Sequence, residues 1–103
     1  MQTPLRITFR HTAHSQALEV RIRELTEKLE RFHDRIIGCH VVVDGTAAHP
    51  ENGGVFAAHV EVTVPDGTVN AVSSPQKHRD AYAAVTDVFD RAKRQLNEFA
   101  ETH

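Results

Sequence analysis

Arg91, Lys93 and Arg94 lie in the run Asp80-Ala-Tyr-Ala-Ala-Val-Thr-Asp-Val-Phe-Asp-Arg-Ala-Lys-Arg-Gln-Leu96, beside an apolar seam of Tyr82, Val85, Phe89, Ala92, Leu96 and Phe99. The seam recurs at steps of three and four, the period of one helix face. Arg91 and Arg94 are i,i+3 neighbours, and Lys93 sits well round the cylinder from the seam. Lys28, Arg31 and Arg35 end an earlier helical run. Cations held at rigid helical spacing suit contact with phosphate oxygens, which positions a nucleic acid with little readout of its bases. The same residues also suit a solvated helix face laced with ion pairs, since Glu24–Lys28, Glu27–Arg31 and Asp87–Arg91 have i,i+4 spacing. Spacing alone leaves both readings open.

Other chemistries find less support. There is no P-loop, no G-x-S-x-G and no G-x-G-x-x-G, and the lone Cys39 stands among Ile37, Val41 and Val43, where a buried inert thiol is expected. No catalytic residue and no cofactor is assigned, nor a small-molecule substrate. His78 and Asp80 read as capping residues at a helix start. Eight histidines, among them His11, His14, His40, His49, His59 and His78, raise the question of metal. A zinc site needs converging ligands, usually in tightly spaced pairs, and the chain has neither a cysteine pair nor H-x-x-x-H. No metal site is assigned. His40 and His59 are expected on the sheet face away from the helices.

The elements that would position the cations follow from periodicity. Leu5, Ile7 and Phe9 alternate with Arg6, Thr8 and Arg10 as a half-buried strand. Ser15 is a plausible N-cap, and Leu18, Ile22, Leu25, Leu29 and Phe32 give a helix of about five turns. Gly38 breaks that period. Ile37, Cys39, Val41 and Val43 begin a second strand, and Phe56, Ala58, Val60, Val62 and Val64 a third. Between them, residues 45–54 have the punctuation of a flexible loop. Pro65-Asp66-Gly67 signals a tight turn into a fourth strand near Thr68 to Ser73, and the second long helix is expected from near Lys77.

The order is β-α-β-β-β-α. A helix between the first two strands makes them parallel neighbours, and the hairpins make the rest antiparallel. Two apolar helix seams need cover, which one face of a single sheet supplies. The expectation is an α+β two-layer sandwich over residues 1–103, with a four-stranded mixed sheet and both helices packed on one face. A chain of 103 residues is one domain by size, and it has no signal-like start and no apolar run long enough for a membrane span. A soluble, cytoplasmic chain without membrane partners is expected.

Three segments carry a resemblance: I-x-F-R-H at Ile7–His11, A-L-x-x-x-I-x-x-x-x-x-K-L-x-R-F at Ala17–Phe32, and D-x-Y-A-A-V through R-Q-L at Asp80–Leu96. Together they resemble the ribosome hibernation-promoting factors, also called ribosome-associated inhibitors or the sigma-factor modulation family. The resemblance implies a fold similar to a double-stranded-RNA-binding domain with an added strand. It also implies a bacterial, non-enzymatic protein that binds the small ribosomal subunit between head and body. There it would overlap the mRNA and tRNA sites and silence translation in stationary phase or stress. By matching position, Lys28, Arg31, Arg91 and Arg94 fall where the family places rRNA-contacting cations, with Lys93 beside them. The end at His103 reads as a short form, without the C-terminal dimerisation domain of the long forms.

Charge gives the resemblance its counterweight. Twelve Lys and Arg stand against fourteen Asp and Glu, a net charge of −2, whereas nucleic-acid binders are usually basic. Both helical runs are balanced by count. Asn97 and Glu98 stand where the typical family helix continues with Lys or Arg. A second reading follows from this: a protein-interaction module that keeps the fold and docks a partner through its sheet face or an edge.

Overall fold

The computed structural model describes residues 1–46, 55–73 and 80–102. Ser15 starts the first helix. Its backbone is extended, its Oγ accepts from the Leu18 N–H at 3.2 Å, and its carbonyl accepts from Glu19 at 3.0 Å. Helix α1 runs Gln16–Phe32 and ends where His33 turns extended while still donating its N–H to Leu29 O. Leu18, Ile22 and Leu29 are buried as the seam requires, and Leu25 packs against the core half-buried. Thr26 is buried with them, its hydroxyl satisfied by Ile22 O at 2.8 Å. Phe32 departs from the expected seam: it is 63% exposed. It is the helix's last residue, and its ring meets the ammonium group of Lys93 instead of the core.

The strands are β1 Arg6–Arg10, β2 Gly38–Thr46, β3 Val55–Val64 and β4 Gly67–Val72. They form one sheet in the order β1-β2-β3-β4, with β1 parallel to β2 and the other pairs antiparallel. The parallel pair is joined through α1, because parallel neighbours need a crossover. Register puts Ile7 against Val41, Val41 against Val60 and Val60 against Ala71, and Cys39, Val41, Val43, Ala58, Val60 and Val62 of the two central strands are buried, with Phe56 and Val64 half-buried at the ends of β3. Strand β2 continues through Gly45 and Thr46, which the sequence assigns to the loop. The remainder of that loop lies outside the described residues.

Pro65 and Asp66 form the two-residue connection of the β3–β4 hairpin, with Val64 paired to Gly67. Gly67 has φ 156, and a Cβ there would sit 3.2 Å from Phe99 Cζ, so the bare backbone lets the aromatic ring close over the hairpin.

Helix α2 runs Ala81–Thr102. Its start is later than the expected Lys77; residues 74–79, with His78, lie outside the described residues. Asp80 is the cap. Its Oδ1 accepts from the Tyr82 N–H at 2.9 Å, and its carbonyl accepts from Ala84 at 3.1 Å. Ala84, Val85, Val88, Phe89, Ala92 and Leu96 are buried against β3, β4 and α1, in one cluster with the α1 seam. Tyr82 is exposed and lines a cavity of about 210 Å³ with Phe9, Leu18, Val43 and Phe56, at the core's edge. The architecture is the expected α+β sandwich of four strands and two helices, and no helix among the described residues is long and apolar enough to cross a membrane.

Cys39 shows how closed this core is. Burial pushes its thiol up to about 12, with Glu30 adding to the shift. Only the thiolate alkylates readily. The native protein should therefore resist iodoacetamide at pH 8 while the denatured chain reacts fully, as read by intact mass. Rapid modification of the folded chain would contradict the packing.

Candidate nucleic-acid interface

Ion pairing divides the cations of α1 into two groups. Near its N-terminus, Glu19 accepts from Arg23 at 2.9 Å and from His14 at 2.7 Å, and Glu24 takes Arg21 at 3.4 Å. Arg23, then His14, hold the Glu19 carboxyl below its ordinary range. The pairs Glu24–Lys28 and Glu27–Arg31 suggested by spacing do not form. Glu24 is engaged one turn earlier by Arg21, and Lys28, Arg31 and Arg35 are exposed and make no ion pair among the described residues. The C-terminal half of α1 thus carries its cations free, near the exposed carboxylates of Glu27 and Asp34.

On α2 the third suggested pair does form: Arg91 Nε donates to Asp87 Oδ1 at 3.0 Å, one turn back. Arg94 is exposed and makes no ion pair among the described residues. Lys93 Nζ lies 3.6 Å from the centroid of the Phe32 ring. One turn further along, Asn97 Oδ1 accepts from His33 Nε2 at 3.0 Å. These two contacts fasten the last turn of α1 to the Lys93–Asn97 stretch of α2. Lys28 is one turn before Phe32, and Arg31 and Arg94 each adjoin a fastened residue. The five sequence-assigned residues therefore differ in state: Lys28, Arg31 and Arg94 are exposed, while Arg91 and Lys93 are half-buried and engaged.

The seam spacing puts Phe32 in the core and leaves Asn97 only as a missing cation, whereas Phe32 is exposed and Asn97 holds His33. The signal lay in the helix end: a residue followed by His33-Asp34-Arg35 has no further turn to bury it. Beside Phe32 opens a groove of about 280 Å³, floored by Val64, Leu96 and Phe99 and edged by Asp34, Arg35 and Asp66.

The opposite face of the sheet is largely polar, with Val42 and Val72 flanking His59. His40 and His59 lie on it as expected, on the adjacent strands β2 and β3. His40 Nε2 bonds Thr8 Oγ1 at 2.8 Å, and its Nδ1 faces the Arg6 guanidinium at 3.5 Å. His59 Nε2 donates to Asn70 Oδ1 at 3.2 Å. At the end of β1, His11, with φ 56, bonds Asp44 at 3.0 Å. Partial burial, then Arg6, lower the His40 pKa below its usual value. Among the described residues no three His, Cys, Asp or Glu side chains come together in a way that could hold a metal ion; His49 and His78 lie outside those residues.

A family model described as sigma 54 modulation protein / S30EA ribosomal protein matches residues 5–103. Among solved structures, the N-terminal domain of Protein Y from Thermus thermophilus is similar with a TM-score of 0.75 and 21% identity, over 96% of this chain and 99% of that one. A ribosomal subunit interface protein from Coxiella burnetii is similar with a TM-score of 0.71 and 23% identity, over 94% of this chain and 97% of that one. At these identities the two structures speak to the fold.

The His40 environment has a measurable consequence. Its folded pKa lies below the unfolded value of about 6.5, so the unfolded chain binds the proton more readily. Its contribution to stability is present above pH 6.5 and is lost as pH falls through the folded pKa. Melting at pH 7.5 and 5.5 should show a smaller acid-induced drop in Tm for His40→Gln than for the parent. Equal drops would remove His40 from the pH response.

Proposed function

The chain belongs to the sigma 54 modulation protein / S30EA ribosomal protein family, and from that premise we propose that it is a ribosome-associated translation inhibitor of the hibernation type. It binds rRNA of the small subunit through Lys28, Arg31, Arg91, Lys93 and Arg94. It acts by occupancy: the sandwich fills the channel between head and body and excludes mRNA and tRNA without catalysing a reaction. Its setting is the cytoplasm of a bacterium under stress or in stationary phase.

The observation that carries this reading is the fastening of α1 to α2 by Lys93 on Phe32 and His33 on Asn97. That contact joins the helix segments that carry Lys28, Arg31 and Arg94, none of which makes an ion pair among the described residues. A protein with net charge −2 can still present a local positive field there, and local field governs association with a polyanion. Free cations also favour RNA over the protein-module reading, for which fully paired helix backs would serve equally well.

The test is co-sedimentation with purified small subunits at low and moderate salt. The protein should travel with the subunit and dissociate steeply as salt rises, with a slope of log K against log salt of about −4 if all five cations meet phosphates. Absence from the subunit fraction even at low salt would overturn the function. The double substitution Arg91→Glu with Arg94→Glu should abolish binding while leaving the circular dichroism spectrum intact. Binding that persists unchanged would refute the residue assignment and leave the function standing.

A further inference from the structure

Among the described residues, Phe32 is the most exposed of the large apolar side chains. It is nonetheless held in place. Its ring carries Lys93 Nζ at 3.6 Å, and the next residue, His33, is tied to Asn97. A helix end fastened at two points presents the ring outward and keeps it from collapsing onto the core. The groove beside it, of about 280 Å³ with a floor of Val64, Leu96 and Phe99, has room for one flat heteroaromatic ring system.

The surrounding charges match a nucleotide better than an apolar peptide. Lys93 lies on the ring itself, Lys28 stands one turn before it, Arg31 adjoins it, and Arg35 edges the groove. These are positions for the phosphates on either side of a base. Asp34 and Asp66 also edge the groove. Their carboxylates repel a phosphate from its interior, and they can accept N–H groups from the edge of a base.

The geometry points to Phe32 as a stacking platform for one unstacked base of ribosomal RNA, with Lys93 passing from the ring to a neighbouring phosphate as the base lands. This inference rests on the rRNA-binding reading above and deepens it, adding a base contact to a surface otherwise read through phosphates. RNA offers such bases in loops and bulges, where they splay out and stack on aromatic side chains. Stacking tolerates any base, because each has a π-face. In the free protein the ammonium group takes the place on the ring that the base will take, a cation–π contact in exchange for a stack.

The experiment compares the affinity of purified small subunits for the parent chain, Phe32→Tyr, Phe32→Leu and Phe32→Ala at fixed salt, then across a salt series. Phe32 is exposed, so all four should fold alike by circular dichroism. The tyrosine variant should bind as the parent does. The leucine and alanine variants should bind about 5- to 150-fold more weakly, the range for loss of one base stack. Their salt slope should be unchanged, because no charge is removed. Leucine binding as tightly as phenylalanine while alanine fails would identify an apolar protein contact and overturn the stack. Tyrosine as weak as leucine, or leucine and alanine both unaffected, would overturn it equally. In those cases the parent chain still binds, and the rRNA reading stands; a parent chain that does not bind at low salt overturns both.

Discussion

Val41 and Val60 face each other at the centre of the sheet, both fully buried, and the register they set governs everything around them. With it, Cys39 lies against Val62 and Val43 against Ala58, so both central strands turn a continuous apolar row toward the helices. A slip of one residue would put His40, Val42 and Asp44 into that row. Burial of two ionisable groups without partners would cost several kcal/mol, a large part of a small domain's stability. The helices rest on this row, and the distance between their polar backs follows from it. Any surface that uses both helices is therefore positioned by a valine pair on the opposite layer.

The charge pattern is organised along the helix and not across the whole chain. Glu19 and Glu24 neutralise the N-terminal cations of α1 within the helix itself. This leaves the C-terminal half free to face outward, where the helix crosses α2. Surface pairs of this kind contribute little to stability, about 0–1 kcal/mol each. Their effect on the field is larger, since each paired carboxylate is one that does not compete for a neighbouring cation. A slightly acidic protein and a cationic patch are compatible on these terms.

Most of the fold was legible because it rests on local chemistry. The alternation of Val41, Val43, Val60 and Val62, the Ser15 cap and the Pro65-Asp66 turn each correspond to a short-range preference that the packed structure keeps. The candidate site was less legible, because its decisive contacts are between helices. Nothing in the spacing of Phe32 distinguishes a seam residue from one beyond the end of the core. Nothing in the sequence pairs Lys93 with it or His33 with Asn97. The i,i+4 rule also misassigned Glu24, which had an equally near arginine at i−3. The start of α2 lies at Ala81 because Asp80 caps it, its carboxylate accepting from the Tyr82 N–H.

The sandwich is one-sided, and this separates two histories. The outer face of the sheet holds itself together through hydrogen bonds of its own, Thr8 with His40 and His59 with Asn70, and it sends no side chain into the core. The hydrogen bonds of that face reach neither helix, and the helix cations bond to no strand among the described residues. The two surfaces are therefore open to substitution one at a time. The fold works as a chassis with two separately heritable faces.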